Sequence, residues 1–353
     1  MDADQRDALQ ARVREAMEAH TPLCLTGSGS KAFLGNPVRG EPLSLAGHRG
    51  ILSYEPTELV VTARAGTPLA ELEAVLAAEG QHLPFEPPRF GPGATLGGTV
   101  ASGLCGPRRP WSGSVRDHVL GVTVLTGKGD ILHFGGEVMK NVAGYDVARL
   151  MCGAFGTLGI LLDISLKVLP RAEASETRVL ECAADAALDT LRRLGGESLP
   201  LTGAAHVDGC LYLRLEGSEA TVAETARRLG GETLDEADSF WTALREQTHP
   251  FFAGEAPLWR LSLPPAAPLP VHDEPLLLDW GGAQRWLRSF RPADAIRAGA
   301  EALGGHATAF RQRPQDVDAF HPLPMAARQL HLRLKEVFDP QGLFNYGCLY
   351  PDL

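Results

Sequence analysis

Short glycine-spaced polar runs carry most of the chemical potential of this chain. Thr26-Gly27-Ser28-Gly29-Ser30-Lys31 follows directly on the apolar run Leu23-Cys24-Leu25. Glycines let successive backbone N–H groups turn toward one anion, while the Ser28 and Ser30 hydroxyls add donors and Lys31 adds charge. That combination suits a pyrophosphate. The third glycine of a dinucleotide fingerprint is missing and no Walker Lys-Ser/Thr follows, so the same residues also read as a polar turn. A second run, from Gly91 to Gly103, holds Thr95, Gly97, Gly98 and Ser102. Small residues over such a length let backbone approach a flat, bulky ligand. A mobile surface loop is the competing reading, but Leu96, Val100 and almost no charge make poor composition for a solvated segment.

Two loop-then-strand junctions extend the pattern. One carries Gly113, Ser114, Arg116 and Asp117; the other carries Gly153, Gly156, Thr157, Gly159 and Ile160. Between them, Lys140 to Asp146 forms a polar cluster that opens a helical segment leading to Leu150. Arg116 with Asp117 also reads as a plain structural ion pair.

The elements that must position these residues fall into two textures. Residues 1–170 are rich in glycine and short β-branched runs, at Leu23 to Leu25, Leu59 to Ala63, Gly121 to Thr126, Ile131 to Phe134 and Gly159 to Val168. A helix is expected from Pro68 to Glu79 with Thr67 as N-cap and Gly80 closing it. Phe90 to Gly113 reads as a long loop. Residues 171–322 alternate strand-like and helical runs, three of the latter ending in Leu-Gly-Gly at 194–196, 229–231 and 303–305. The order strand, helix, strand, strand, helix predicts a ferredoxin-like sheet with helices on one face, with Pro264 to Pro275 as a connector. Residues 323–353 contribute a helix, Ala326 to Phe338, stopped by Asp339-Pro340, and a tail. The fold class is therefore α+β.

Composition narrows the partners. A net charge of −10 with basic residues spread along the chain leaves no footprint for nucleic acid. The six cysteines form no Cys-x-x-Cys pair, which argues against a disulfide framework or an iron–sulfur cluster and for a reduced, cytoplasmic chain. Leu9, Val13 and Met17 sit at helical spacing in an amphipathic N-terminal segment unlike a signal peptide. Any membrane association would then come through partners on the inner face of the membrane. The eleven histidines are scattered, and no metal site is expected.

The order of these blocks resembles the FAD-binding fold shared by vanillyl-alcohol oxidase, p-cresol methylhydroxylase and the glycolate oxidase subunits, most closely the family of glycolate oxidase FAD-binding E subunits. The resemblance is strongest from Ser30 to Pro170, with Tyr54 to Val60, Gly106 to Asp117 and Phe134 to Asp146 as its most specific runs; it is thinner from Ala172 to His321, where Leu258 to Pro264 is the best anchor. It implies a two-part FAD-binding fold of the p-cresol methylhydroxylase type followed by an α+β cap. It also assigns roles. Gly27, Ser28, Gly29, Ser30 and Lys31 would hold the FAD pyrophosphate, with Thr95, Gly97, Gly98 and Ser102 beside it. Gly113, Ser114 and Asp117 would lie along the flavin, and Gly153, Gly156, Thr157, Gly159 and Ile160 along the ribityl and adenosine portions. The family's Asn-Pro-Gly-Arg block stands here as Asn345-Tyr346-Gly347-Cys348, so Asn345 and Gly347 match while Pro and Arg do not. The His that relatives use for covalent attachment is absent from 26–31, which implies non-covalent FAD. By the same resemblance the chain would oxidise glycolate or another 2-hydroxy acid to glyoxylate or its counterpart within a complex. Arg260 would clamp the substrate carboxylate, beside a catalytic FAD-linked sister subunit and an iron–sulfur subunit. The alternative is a non-catalytic electron-transfer or scaffolding module whose sister does the chemistry.

Overall fold

The computed structural model describes residues 3–136, 145–270 and 274–353. The Lys140 to Gly144 part of the polar cluster, and residues 271–273 of the Pro-rich connector, lie outside them. The chain forms two compact units: Met1–Leu104, Ser114–Pro170 and Pro322–Leu353 make the first, and Cys105–Gly113 with Arg171–His321 the second.

In the first part of the chain the order is α1 (Arg6–Ala19), β1 (Leu23–Thr26), β2 (Glu41–Ser44), β3 (Ile51–Glu55), β4 (Val60–Arg64), α2 (Leu69–Ala78), β5 (Gln81–His82) and α3 (Leu96–Ser102). There follow α4 (Arg109–Ser112), which belongs to the second unit, α5 (Val115–His118), β6 (Val119–Leu125), β7 (Ile131–Gly135), α6 (Val147–Leu150), β8 (Ile160–Lys167) and β9 (Leu169–Pro170). A five-stranded antiparallel sheet runs β3-β4-β8-β6-β7, and β1 pairs with β2 in parallel. Leu9, Val13 and Ala16 of α1 pack on Leu23, Leu125, Ile160, Leu162 and the tail residues Leu343 and Phe344. The tail bridges β1 in parallel, Phe344 opposite Leu23, so residues far apart in sequence share one wall.

Two local expectations change. Thr67 does not cap α2; Pro68 occupies that position, and the Thr67 hydroxyl instead bonds the backbone of Gly50. Tertiary pairing outbids the local cap. The stretch 90–113 is not all loop: Thr95 caps α3 through its side chain, and the capped turn turns helical despite two glycines.

The second unit continues with β10 (Ala174–Glu181), α7 (Ala184–Leu194), β11 (Leu201–Val207), β12 (Cys210–Gly217), α8 (Glu219–Leu229), β13 (Glu232–Thr233) and α9 (Ala237–Glu246). Then come β14 (Leu258–Ser262), β15 (Leu276–Asp279), β16 (Gln284–Arg288), α10 (Ala293–Ala302) and β17 (His306–Arg311), while α11 (Met325–Phe338) returns to the first unit. One eight-stranded sheet runs β13-β10-β12-β11-β15-β16-β14-β17. Numbered within each half, both read 4-1-3-2, the ferredoxin-like order, joined back to back at His206 opposite Leu278. The expected sheet is thus present twice, the second copy carrying Pro264 to Pro275 where the first has α7. Register makes the copies superimposable: Val179 faces Glu232 as Ser262 faces His306, and Val179 faces Tyr212 as Ser262 faces Gln284. Helices α7, α8 and α10 lie on one face, over Leu211, Leu213 and Leu215 in one half and Trp259, Leu261, Ala307 and Ala309 in the other, whereas α9 sets Trp241 against Thr177 and Gly203 on the opposite face. Of the three Leu-Gly-Gly ends, Gly230 and Gly304 are left-handed, whereas Gly195 keeps right-handed φ −63 because its helix ends by tightening, not by reversing.

Candidate cofactor-binding site

A contiguous cleft in the first unit lies between the turn after β1, the start of α3, the loop before β8 and the tail after α11. One part, about 220 Å3, is lined by Gly27, Ser28, Gly29, Ser30 and Lys31 with Thr95, Gly98, Ser102, Asn345 and Cys348. The adjoining part, about 90 Å3, adds Gly97, Gly156, Gly159 and Ile160 to Gly27, Thr95, Gly98 and Asn345. Residues from four distant stretches of sequence therefore meet.

Its donors come from the first glycine turn. The amides of Gly27, Ser28 and Gly29 have no acceptor among the described residues, and Gly29 takes φ +75, the left-handed conformation found where successive N–H groups converge on an anion. The second glycine run contributes shape instead. Its first-turn amides are all used: Leu96 N donates to Thr67 O at 2.9 Å, Gly97 N to Ala65 O at 2.6 Å and Gly98 N to Thr95 Oγ1 at 3.2 Å. What its glycines provide is close approach. A Cβ on Gly97 would stand 2.8 Å from the Ala65 Cβ, and one on Gly27 would stand 2.5 Å from Thr95 Oγ1.

Asn345 ties the walls. Its Oδ1 accepts from Leu25 N and its Nδ2 donates to Phe155 O, each at 2.7 Å, so one amide links β1, the tail and the loop before β8. Behind it sits a buried cation that hydropathy does not reveal. Lys335 Nζ donates to Thr157 O, Phe344 O and Asp339 Oδ2 at 2.7, 2.8 and 2.7 Å, and Asp339 accepts from the amides of Leu343 and Phe344. Burial pulls the Lys335 pKa down despite Asp339. In sequence this i,i+4 pair on an amphipathic helix looks like a surface ion pair; only the tail folding over it makes it internal.

Other expected residues sit elsewhere. Gly153 and Thr157 line a separate cavity of about 260 Å3 with Arg116, His331 and Lys335. The Thr157 hydroxyl is spent on Ala154 O at 2.7 Å. Ser114 and Asp117 face each other in a capping box at α5, the carboxylate accepting from Ser114 N at 2.8 Å and from its hydroxyl at 2.7 Å. Burial works against that carboxylate, but the two Ser114 donors, then His118 and Arg116, outweigh it and hold Asp117 below the usual range. Arg116 acts there through charge, not through a bond. Gly113, φ +89, closes α4 in the second unit. Arg260 is on β14, half-buried, with its guanidinium 5.5 Å from the Phe310 ring centre.

Three free amides, an adjacent Lys31, thin glycine walls and the apolar lining of Leu25, Leu45, Ala65, Met151 and Leu161 fit a dinucleotide with a flat ring system. Fold and cleft together define an FAD-binding flavoprotein of the p-cresol methylhydroxylase type, and residues 2–135 match the FAD binding domain family. The whole chain is similar to glycolate oxidase subunit GlcE of Escherichia coli (strain K12), 49% identical over 352 residues, covering 100% of this chain and 99% of that one; it belongs to this family of FAD-binding subunits. It is also 34% identical over 163 residues to glycolate oxidase subunit GlcD of Bacillus subtilis (strain 168), covering 45% of this chain and 34% of that one. Among solved structures, alkyldihydroxyacetonephosphate synthase shares the fold, with TM-score 0.65 and 15% identity over 98% of this chain and 75% of that chain. Among the described residues no helix is long and apolar enough to cross a membrane.

Proposed function

We infer that this chain is the non-covalent FAD-binding subunit of a complex that oxidises glycolate, or a similar small 2-hydroxy acid, to the 2-oxo acid. The observation that carries this reading is the cleft in which the free amides of Gly27, Ser28 and Gly29 meet the glycine walls of α3 and the loop before β8. When bound, FAD supplies a two-electron acceptor and a relay for electrons. The chain's residues do the rest. Gly27, Ser28 and Gly29 hold the pyrophosphate through backbone N–H groups, with Ser30 and Lys31 adding donors and charge. Thr95, Gly97, Gly98 and Ser102 keep that wall thin; Gly156, Gly159 and Ile160 flank the apolar part, and Asn345 fixes the spacing between the walls.

Gly113, Ser114, Asp117, Gly153 and Thr157 stand outside this cleft lining, and in this reading they shape the loops around the cofactor without bonding it. Arg260 takes the substrate carboxylate. Among the described residues of the second unit it is the one arginine shielded from solvent that makes no hydrogen bond or ion pair, where Arg108, Arg178, Arg214, Arg285, Arg288 and Arg297 each donate to at least one acceptor. The six cysteines lack cluster spacing, so electrons leave through an iron–sulfur partner, alongside an FAD-linked sister subunit. The test is purification followed by acid precipitation: FAD should be released into the supernatant at one per chain. Flavin that stays with the denatured protein, or a colourless chain, would overturn the reading.

A further inference from the structure

The cavity of about 260 Å3 beside Thr157 and Lys335 takes no part in holding the cofactor, yet it is larger than either part of the cofactor cleft. Its lining comes entirely from the first unit: α5, α6, the loop before β8, α11 and the tail. That loop is a shared wall. Gly153 and Thr157 line the cavity, Phe155 and Gly156 line the cleft, and Ala154 lines both.

The lining divides by chemistry. Leu150, Leu158, Leu334, Leu349 and Leu353 supply an apolar wall, and three of them, Leu150, Leu334 and Leu349, remain only half-buried. Most of the polar groups are already engaged. The Thr157 hydroxyl donates to Ala154 O, Lys335 Nζ to Thr157 O, Phe344 O and Asp339, and His331 Nδ1 to Ala327 O at 2.8 Å, while Leu353 O accepts from Gly347 N at 2.6 Å. Arg116 and Arg149 are different. Both line the cavity and both are exposed, which places these two residues at its mouth. Arg149 Nε stands 3.3 Å from Asp146 Oδ2, leaving the rest of its fork, and Arg116 makes no hydrogen bond or ion pair among the described residues. Among the described residues no Asp or Glu lines the cavity.

Water alone fills such a place poorly. One molecule needs only ~10–15 Å3 but two to four polar partners; here the volume is ample and the partners are few. A solute with an apolar body and an anionic head suits both halves of the lining, covering the leucines and meeting the arginines.

We propose that this cavity is a second small-molecule site, separate from the cofactor cleft, for a small organic anion with a short apolar body. The test is calorimetric titration of the FAD-loaded full chain with hexanoate up to millimolar concentration, alongside hexan-1-ol, which lacks the charge, and inorganic phosphate, which lacks the body. Hexanoate should bind once per chain and at least tenfold more tightly than either. Leu349→Trp, which fills the cavity, should abolish binding, and Arg116→Gln combined with Arg149→Gln should weaken it roughly tenfold. Alkylation mapped by mass spectrometry gives a readout on the unaltered chain: Cys152 lines the cavity and Cys24 lines the cleft, both half-buried, so hexanoate should slow labelling of Cys152 and leave Cys24 unchanged. Flavin content and melting temperature, measured on every variant, separate a filled cavity from a lost fold.

No binding of hexanoate by the wild-type chain, or undiminished binding by folded Leu349→Trp, would overturn the site. Hexanoate that expels FAD, or that protects Cys24 instead of Cys152, would mean it enters the cofactor cleft and would overturn it equally. Hexan-1-ol bound as tightly would remove the anionic head from the assignment, and phosphate bound as tightly would remove the apolar body. The FAD-binding reading is scored by its own release assay and survives each of these failures.

Discussion

Asn345→Ala and Asn345→Asp should separate the two contributions of one amide. Alanine removes both 2.7 Å bonds, leaving Leu25 N–H and Phe155 C=O without their partner. Each lost bond costs about 1 kcal/mol where water from the cleft can substitute. Asn345 also sits at φ +41, which asparagine tolerates and alanine resists by about another 1 kcal/mol. The sum is ~3 kcal/mol for alanine. Aspartate keeps the left-handed backbone and the acceptor for Leu25 N, losing only the donor to Phe155 O, about 1 kcal/mol plus some repulsion between two acceptors. The order reverses for FAD, because aspartate sets a carboxylate on the wall that would face a pyrophosphate. Thermal melts of the apo chain should rank wild type above Asp above Ala, whereas FAD affinity, read by flavin fluorescence quenching, should rank Asp at or below Ala. A loss of ~2 kcal/mol of wall organisation corresponds to roughly thirtyfold in Kd. If the aspartate variant binds FAD as wild type does, Asn345 is not part of a cofactor wall.

Gly97→Ala drives a methyl into the Ala65 Cβ and carbonyl, so α3 must move and roughly 1–3 kcal/mol is lost; flavin content per chain and melting temperature should both fall, and full flavin at an unchanged melt would refute the close-packing role. Glu216 is held below its ordinary 4.5: burial opposes this, but Arg108, then Arg214 and Thr202, outweigh it. Its stabilisation is therefore complete above that ordinary value and fades as pH falls through the depressed one, so the melting gap between wild type and Glu216→Gln should close on acidification; a gap constant with pH counts against the pair. Gly231→Ala and Gly305→Ala each push a Cβ into a first-strand carbonyl, Val179 O and Ser262 O, and should cost roughly 1–3 kcal/mol, while Gly196→Ala, with its nearest contact at 3.6 Å, should leave the melt almost unmoved.

Much of the fold was readable because its strands are plain. The apolar runs of β1, β4, β6, β8, β12 and β14 stand out by composition. β16 does not: Gln284-Arg285-Trp286-Leu287-Arg288 looks polar, yet all five residues are buried. Arg285 and Arg288 manage this by giving their N–H groups to backbone carbonyls, among them Pro268, Gly282, Phe251 and Ala256. Hydropathy cannot register such a bargain. α3 was hidden for the opposite reason, since Gly97 and Gly98 argue against helix and only the Thr95 cap and the contact with Ala65 impose it. At the site, glycine spacing marks the turn from Gly27 to Lys31, whereas Asn345 stands out only through its resemblance to the family's C-terminal block. Thr157 and Ser114 looked equally polar but turn out to satisfy local backbone, a use that residue type alone does not distinguish from binding a ligand.

The twofold plan of the second unit supplies its own internal comparison. If Val179 corresponds to Ser262, then Thr177 in β10 corresponds to Arg260 in β14. Thr177 is sealed, its hydroxyl accepting from Trp241 Nε1 of α9 at 2.9 Å. Arg214, beside Thr177, leans on that same indole, and its counterpart beside Arg260 is Trp286. One copy is thus closed at this position by a tryptophan, and the other carries a cation set over Phe310. Duplication would free one copy to serve as scaffold while its twin drifts toward chemistry. The half sealed by Trp241 shows how the same strand position is filled when its role is packing alone.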